Sequence, residues 1–181
     1  MSCPDVGAAR RLYLTLAGSA MLGACATSQP EMPVVDYVDI DRFMGDWYVI
    51  ANIPTFLEKG AHNAVETYTR NADGTIATRF TYLQDSFDGK RKEHFPKGFI
   101  TDPASNAIWG MRFVWPIKAD YRIVYLEEDY SITMIGRQKR DFLWIMARQP
   151  QISAEDYARL VEFAASLGYD TSAIQRVPQR W

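Results

Sequence analysis

The chain has 181 residues, 48% of them hydrophobic and 13% aromatic, so it can bury a core and fits one globular domain rather than a disordered polymer. Its 20 Lys and Arg against 22 Asp and Glu leave a net charge of −2 with no basic stripe, which argues against nucleic acid as a partner because phosphate binding needs clustered cations.

The N-terminal segment is set apart from the fold. Arg10-Arg11 precedes an apolar run from Leu12 to Leu22, which ends in Leu22-Gly23-Ala24-Cys25. The run is about eleven residues long, where a membrane-crossing helix needs ~20, so it reads as the core of a secretory signal. The predicted division is a signal peptide over 1–24, a tether over 25–36 containing Pro30 and Pro33, and a folded domain over 37–181. Cleavage before Cys25 would remove Cys3 and leave one cysteine, so no intramolecular disulfide could form.

Strand signals then follow one another, bounded by turn residues, over Asp46–Ile53, His62–Arg70, Thr75–Gln84, Lys90–Thr101, Ala107–Trp115, Tyr121–Glu127, Ser131–Arg137 and Phe142–Arg148. Asn71-Ala72-Asp73-Gly74 supplies one tight connection, and Asp88-Gly89 and Glu128-Asp129 mark two more. Short strands in series without intervening helices predict an all-β sandwich or barrel. After them the apolar period lengthens. Ser153 is a helix N-cap with Asp156 three positions on, Tyr157, Leu160, Val161, Ala164 and Leu167 form one helical face, and Gly168 ends it. Ile174 and Val177 fit a short last strand. In the last long strand Phe142, Trp144 and Met146 alternate with Leu143, Ile145 and Ala147, and both faces are apolar. A barrel with a helix packed outside it accounts for that: one face looks into the lumen and the other lies under the helix.

Three short motifs carry a family resemblance. Asp41-Arg42-Phe43-Met44-Gly45-Asp46-Trp47-Tyr48 resembles the first lipocalin motif, a helical turn leading into Gly-x-Trp-Tyr on the first strand. Asp120-Tyr121 resembles the second, with Ala119 in place of its usual Thr, and Arg148 at the end of the eighth strand matches the third. Strand order, helix position and the three motifs together cover residues 40 to 178. Ile53–Gly60 and Phe142–Pro150 are similar to the bacterial outer-membrane, or Blc-type, subgroup. The resemblance implies an eight-stranded up-and-down antiparallel barrel with a C-terminal helix and a short final strand. It makes Gly45, Trp47, Asp120, Tyr121 and Arg148 structural, with the Arg148 guanidinium over the Trp47 indole at the closed end. It also makes Leu-Gly-Ala-Cys a lipoprotein signal, so that Cys25 carries the lipid anchor and the protein sits in the outer membrane, on its periplasmic side.

Projected alternation and the family register give the lumen candidates: Val49 and Ala51, Glu66 and Tyr68, Thr78 and Phe80, Met111 and Phe113, Ile123 and Tyr125, and Phe142, Trp144 and Met146. A one-residue slip in any strand would turn its set to the other face. Glu66 and Tyr68 stand out, because polar groups in an apolar pocket orient a ligand or pair internally.

The expected function is to bind and store or carry a small hydrophobic molecule, a fatty acid or lysophospholipid by family, as a membrane-anchored protein. Two alternatives stay open: a structural or partner-docking lipoprotein with a filled barrel, and a lipocalin-fold enzyme. His62 and His94 are the only histidines and fall on separate strands, and no phosphate loop or metal-ligand spacing occurs, so the expectation is no enzyme, no metal and no cofactor. Oligomeric state is left open, a homodimer included.

Overall fold

The computed structural model describes residues 29–181, so the signal segment and Cys25 lie outside the described residues. A single helical turn, α1 (Ile40–Phe43), leads into the sheet. Asp39 caps it by accepting from the backbone N–H groups of Asp41 and Arg42, which have no intrahelical partner. The strands are β1 (Gly45–Ile53), β2 (Ala61–Arg70), β3 (Ile76–Gln84), β4 (Arg91–His94), β5 (Lys97–Ile100), β6 (Ile108–Val114), β7 (Ile117–Leu126), β8 (Ile132–Gly136) and β9 (Leu143–Ala147). The helix α2 (Ala154–Ser166) and the two-residue strand β10 (Gln175–Arg176) complete the chain.

With β4 and β5 sharing one position beside β3, the strands from β1 to β9 pair antiparallel in chain order, β1 pairs with β9 to close the barrel, and β10 pairs with β1. The expected fourth strand is two pieces, β4 and β5, both on β3, separated by Phe95-Pro96. Proline has no N–H to give the ladder, so the strand breaks there, although the Pro96 carbonyl still accepts from Thr78 N at 3.1 Å. The expected sixth strand begins four residues early. Val114 and Ile117 pair across a two-residue connection, which draws Ile117–Asp120 into the ladder as β7. Closure of the sheet removes its edges, the usual sites of unwanted strand pairing.

Two apolar layers follow from strand alternation. Inside the closed end, Phe43, Trp47, Tyr68, Trp109 and Tyr121 pack as a cluster with ring centroids 5.0–6.4 Å apart. Outside, Leu143, Ile145 and Ala147 of β9 meet Leu160 and Ala164 of α2 in a second core. Ser153 caps α2 by accepting from Asp156 N at 2.9 Å, and Gly168 leaves the helix at φ +88°, a conformation that favours glycine.

The expected tether is a correction in its described part. Residues 29–36 lie along the barrel wall: Met32 is buried in the core beneath α2, its N–H donates to the Gln138 side chain at 2.8 Å, and Val35 N donates to the Ile123 carbonyl at 3.1 Å. A buried Met and backbone pairing hold this Pro-containing stretch in place.

Candidate functional site

The barrel is closed at one end and open at the other, and the difference is built from loops. At the closed end Arg148 seals the floor. Its guanidinium stacks over the Trp47 ring and donates to the carbonyls of Arg42, Phe43, Met44 and Asp46 at 2.8–3.1 Å. Gly45 stands beside it at φ +96°, and a Cβ there would come 3.4 Å from the guanidinium. Asp120, the other motif carboxylate, faces outward: it pairs with Arg122 at 3.1 Å and accepts from Gln138 N at 2.6 Å, tying β7 to the β8–β9 turn.

At the open end lies a cavity of about 330 Å³ that continues inward into a narrower space of about 40 Å³. The larger value falls at the lower end of the ~300–1,000 Å³ of small-molecule sites. Its wall is apolar: Phe80 from β3, Met111 and Phe113 from β6, Ile117 and Ala119 from β7, and Phe142 and Trp144 from β9 and the turn before it. Around the mouth Phe56, Phe113, Val114, Trp115 and Ile117 are more than half exposed.

The predicted lumen residues divide into three groups. Phe80, Met111, Phe113, Phe142 and Trp144 line the cavity, and Glu66 lies at its inner end. Val49, Tyr68, Ile123 and Met146 point inward but belong to the packed core below it, as does the buried Thr78, on the same face of β3 as Phe80. Ala51 and Tyr125 are corrections: both lie outside the barrel, in and against the core under α2. A β-bulge explains each. Between Val49 and Ala51 the β1–β9 register shifts by one residue, and between Ile123 and Tyr125 the β7–β8 register does the same. The extra residue, Ile50 or Val124, inverts the alternation beyond it. Tyr125 consequently packs on Phe163 of α2, at 5.4 Å between ring centroids, and Asn52 turns inward where Ala51 was expected.

Sequence alternation missed the contribution of the β1–β2 loop. Residues 54–60 fold back over the mouth and carry Leu57 and Glu58 into the wall. The Glu58 carboxylate is buried and accepts from Trp144 Nε1 at 3.0 Å, Thr55 N at 3.0 Å and Asn52 Nδ2 at 3.5 Å. Burial raises its pKa from the ordinary carboxylate value, and the bonds from Thr55 and Trp144 oppose the rise. A carboxylate directly after Phe56-Leu57 was the one signal that could have marked it. Arg137, also missed, lines the cavity at the mouth and pairs with Asp141 at 3.2 Å.

Glu66 is the second carboxylate of the lumen, half-buried. The surface it retains faces the inner cavity, and its one hydrogen bond comes from the Tyr68 hydroxyl, which in turn lies 2.8 Å from that of Tyr121. Burial pushes its pKa up to about 7, with the Tyr68 bond opposing and the nearby Glu58 charge adding. Burial, reinforced by the Glu66 charge, raises the Tyr68 phenol well above its ordinary value, so it stays a donor at neutral pH. Among the described residues no group of three His, Cys, Asp or Glu side chains could hold a metal, and no helix is long and apolar enough to cross a membrane.

Comparison with known proteins agrees with this architecture. The family model of the lipocalin-like domain matches residues 38–179. Temperature-induced lipocalin-1 of Arabidopsis thaliana is 36% identical over 163 residues, which cover 84% of this chain and 86% of that protein. The outer membrane lipoprotein Blc of Escherichia coli (strain K12) is 29% identical over 175 residues, covering 94% and 98%. Among solved structures, insecticyanin from the tobacco hornworm Manduca sexta superposes with a TM-score of 0.62 at 14% identity, over 81% of this chain and 83% of that one, a likeness of fold alone. With a closed eight-position barrel, an Arg148–Trp47 floor and a family match over residues 38–179, the chain belongs to the lipocalin family.

Proposed function

We propose that this lipocalin binds an amphiphilic acyl lipid, a fatty acid or lysophospholipid, in the open half of its barrel, and does so as a carrier rather than an enzyme. One observation carries the reading: an apolar cavity of about 330 Å³ opens through a rim of exposed aromatic and aliphatic side chains. Each buried CH₂ of a chain contributes ~0.8 kcal/mol before ordering costs. The aromatic cluster fills only the closed half, so a wholly filled, purely structural barrel is the weaker account.

Anchoring belongs to the same proposal. The Leu22-Gly23-Ala24-Cys25 segment, together with similarity to outer membrane lipoproteins, supports a lipidated Cys25 and an outer-membrane location. The mouth would then work close to a lipid surface, from which a carrier of this class draws its cargo.

Mass spectrometry of lipids extracted from the purified protein tests the cargo. Titration of the delipidated protein with fatty acids of increasing length, followed by tryptophan fluorescence, tests the site. Affinity should climb with length and level off once the cavity is full. Absence of saturable binding by any acyl lipid in a folded, delipidated protein would replace the carrier with the structural reading.

A further inference from the structure

The inner end of the cavity differs in chemistry from its wall. Below Phe80, Met111 and Trp144 the space narrows between Glu58, Glu66, Pro96 and Tyr121. The Glu58 carboxylate is committed, with donors on both oxygens. That of Glu66 is not: it receives one hydrogen bond, from Tyr68, and among the described residues no cation pairs with it. Thr78 Oγ1 and His94 Nε2, on the inward faces of β3 and β4, are likewise buried without partners. Neither lines the inner space, so the unmet hydrogen-bonding capacity of the floor itself lies on the Glu66 carboxylate. The positive charge lining the cavity stands at the other end, where the Arg137 guanidinium lies over the Phe142 ring and its Nε is buried and unpartnered.

We propose that Glu66 makes the cavity floor a subsite for a protonated amine, and that a chain with an anionic head enters tail first, leaving its head beside Arg137. The proposal rests on the reading that the lumen binds an amphiphile, and it names which end goes where. A second negative charge brought beside Glu66 and Glu58 would meet like charges in a desolvated space. An ammonium there would supply the donors and the charge that Glu66 lacks.

Protons enter the same balance. The groups facing Glu66 are Glu58 from the 54–60 loop, Tyr68 on its own strand and Tyr121 on β7. His94 and Lys92 lie opposite Phe80 and Tyr82 on β4, Arg137 is at the mouth, and Arg148 is beyond Tyr68 at the closed end. Burial sets the Glu66 carboxyl at about 7. An amine binds its ionised form, so amine affinity should rise with pH; a hydrocarbon tail prefers the neutral form, so carboxylate affinity should fall. For full coupling to one group titrating midway, affinity changes about tenfold between pH ~6 and pH ~8.

Fluorescence titration of the delipidated protein with dodecylamine and with dodecanoate at those two pH values tests this. The amine keeps its charge and the fatty acid is mostly ionised at both. The expected result is opposite slopes, with dodecylamine about tenfold tighter at the higher pH and dodecanoate about tenfold tighter at the lower. Glu66→Gln, which can still accept from Tyr68, should weaken the amine and flatten both slopes, while Arg137→Gln should weaken dodecanoate alone. Slopes that persist in Glu66→Gln would assign the effect to a group other than Glu66 and overturn the proposal. Saturable dodecanoate binding without amine binding also overturns it but leaves the lumen-binding reading standing. Failure of both probes removes that reading together with this one.

Discussion

The Arg148 guanidinium lies 3.8 Å above the centre of the Trp47 ring and simultaneously donates to four backbone carbonyls of residues 42–46. One side chain at the end of β9 thus fixes both the first strand and the turn of α1 that plugs the barrel. A partly desolvated cation–π contact is worth up to ~2 kcal/mol, and the carbonyl bonds add to it.

Trp47→Ala should therefore cost about 3–5 kcal/mol, since it opens a cavity and removes the stacking partner together. Arg148→Ala should cost less, and Arg148→Lys should not restore it, because an ammonium cannot present a planar fork to several carbonyls. The double variant should cost less than the sum of the singles in urea melts. Strict additivity would mean that the two side chains do not act as one unit.

Ligand binding and stability should separate at neighbouring positions of β6. Phe113 lines the cavity and is half exposed, so Phe113→Arg should weaken acyl-lipid binding while the long side chain extends into solvent and the melt shifts little. Arg112 lies on the opposite face, 4.8 Å from the Phe99 ring centroid, and Arg112→Glu should leave affinity nearly unchanged. Isothermal titration beside thermal melts distinguishes them; equal loss of affinity in both variants would contradict the assigned faces.

Stability in the absence of ligand should fall as pH rises from about 4.5 to about 7. The Glu66 carboxyl has an ordinary value of 4.5 and is pushed up to about 7 in the folded protein, so the folded state holds a proton that the unfolded chain has released. The stabilisation is complete below the ordinary value and is lost on passing the raised one, a change of at most ~3 kcal/mol. Glu58 shifts in the same direction and adds to the slope. Chemical denaturation across this range should show Glu66→Gln with a shallower slope and greater stability at pH ~8. An unchanged slope would mean Glu66 is not the buried acid responsible.

Cys25→Ser should release the protein into the soluble fraction, because a lipoprotein cysteine holds its membrane through several acyl chains, where a single one is marginal. High salt should not release the unsubstituted protein. Fractionation of the variant with membranes would remove the anchoring proposal and leave the barrel unaffected.

The order of elements was legible in the sequence because each rests on a short-range signal, period-two alternation for the strands and Ser153 and Gly168 for the limits of α2, while the Gly45, Trp47 and Arg148 floor was legible through the resemblance of its motifs to the family's. The inward set of β9, Trp144 and Met146, was legible for the same reason, since that strand runs without interruption from Leu143 to Ala147. Only the tertiary structure decided Ala51, Tyr125 and Asn52, because a β-bulge adds one residue to one strand and is set by pairing with a neighbour distant in sequence. Glu58 lay beyond reach likewise: its loop has no period, and the carboxylate enters the cavity because Trp144, 86 residues away, supplies a donor there. Alternation could direct Glu66 inward, but its proton affinity depends on burial by β2, β3 and β7 and on the Glu58 charge, a sum of contacts that exists only once the barrel has closed.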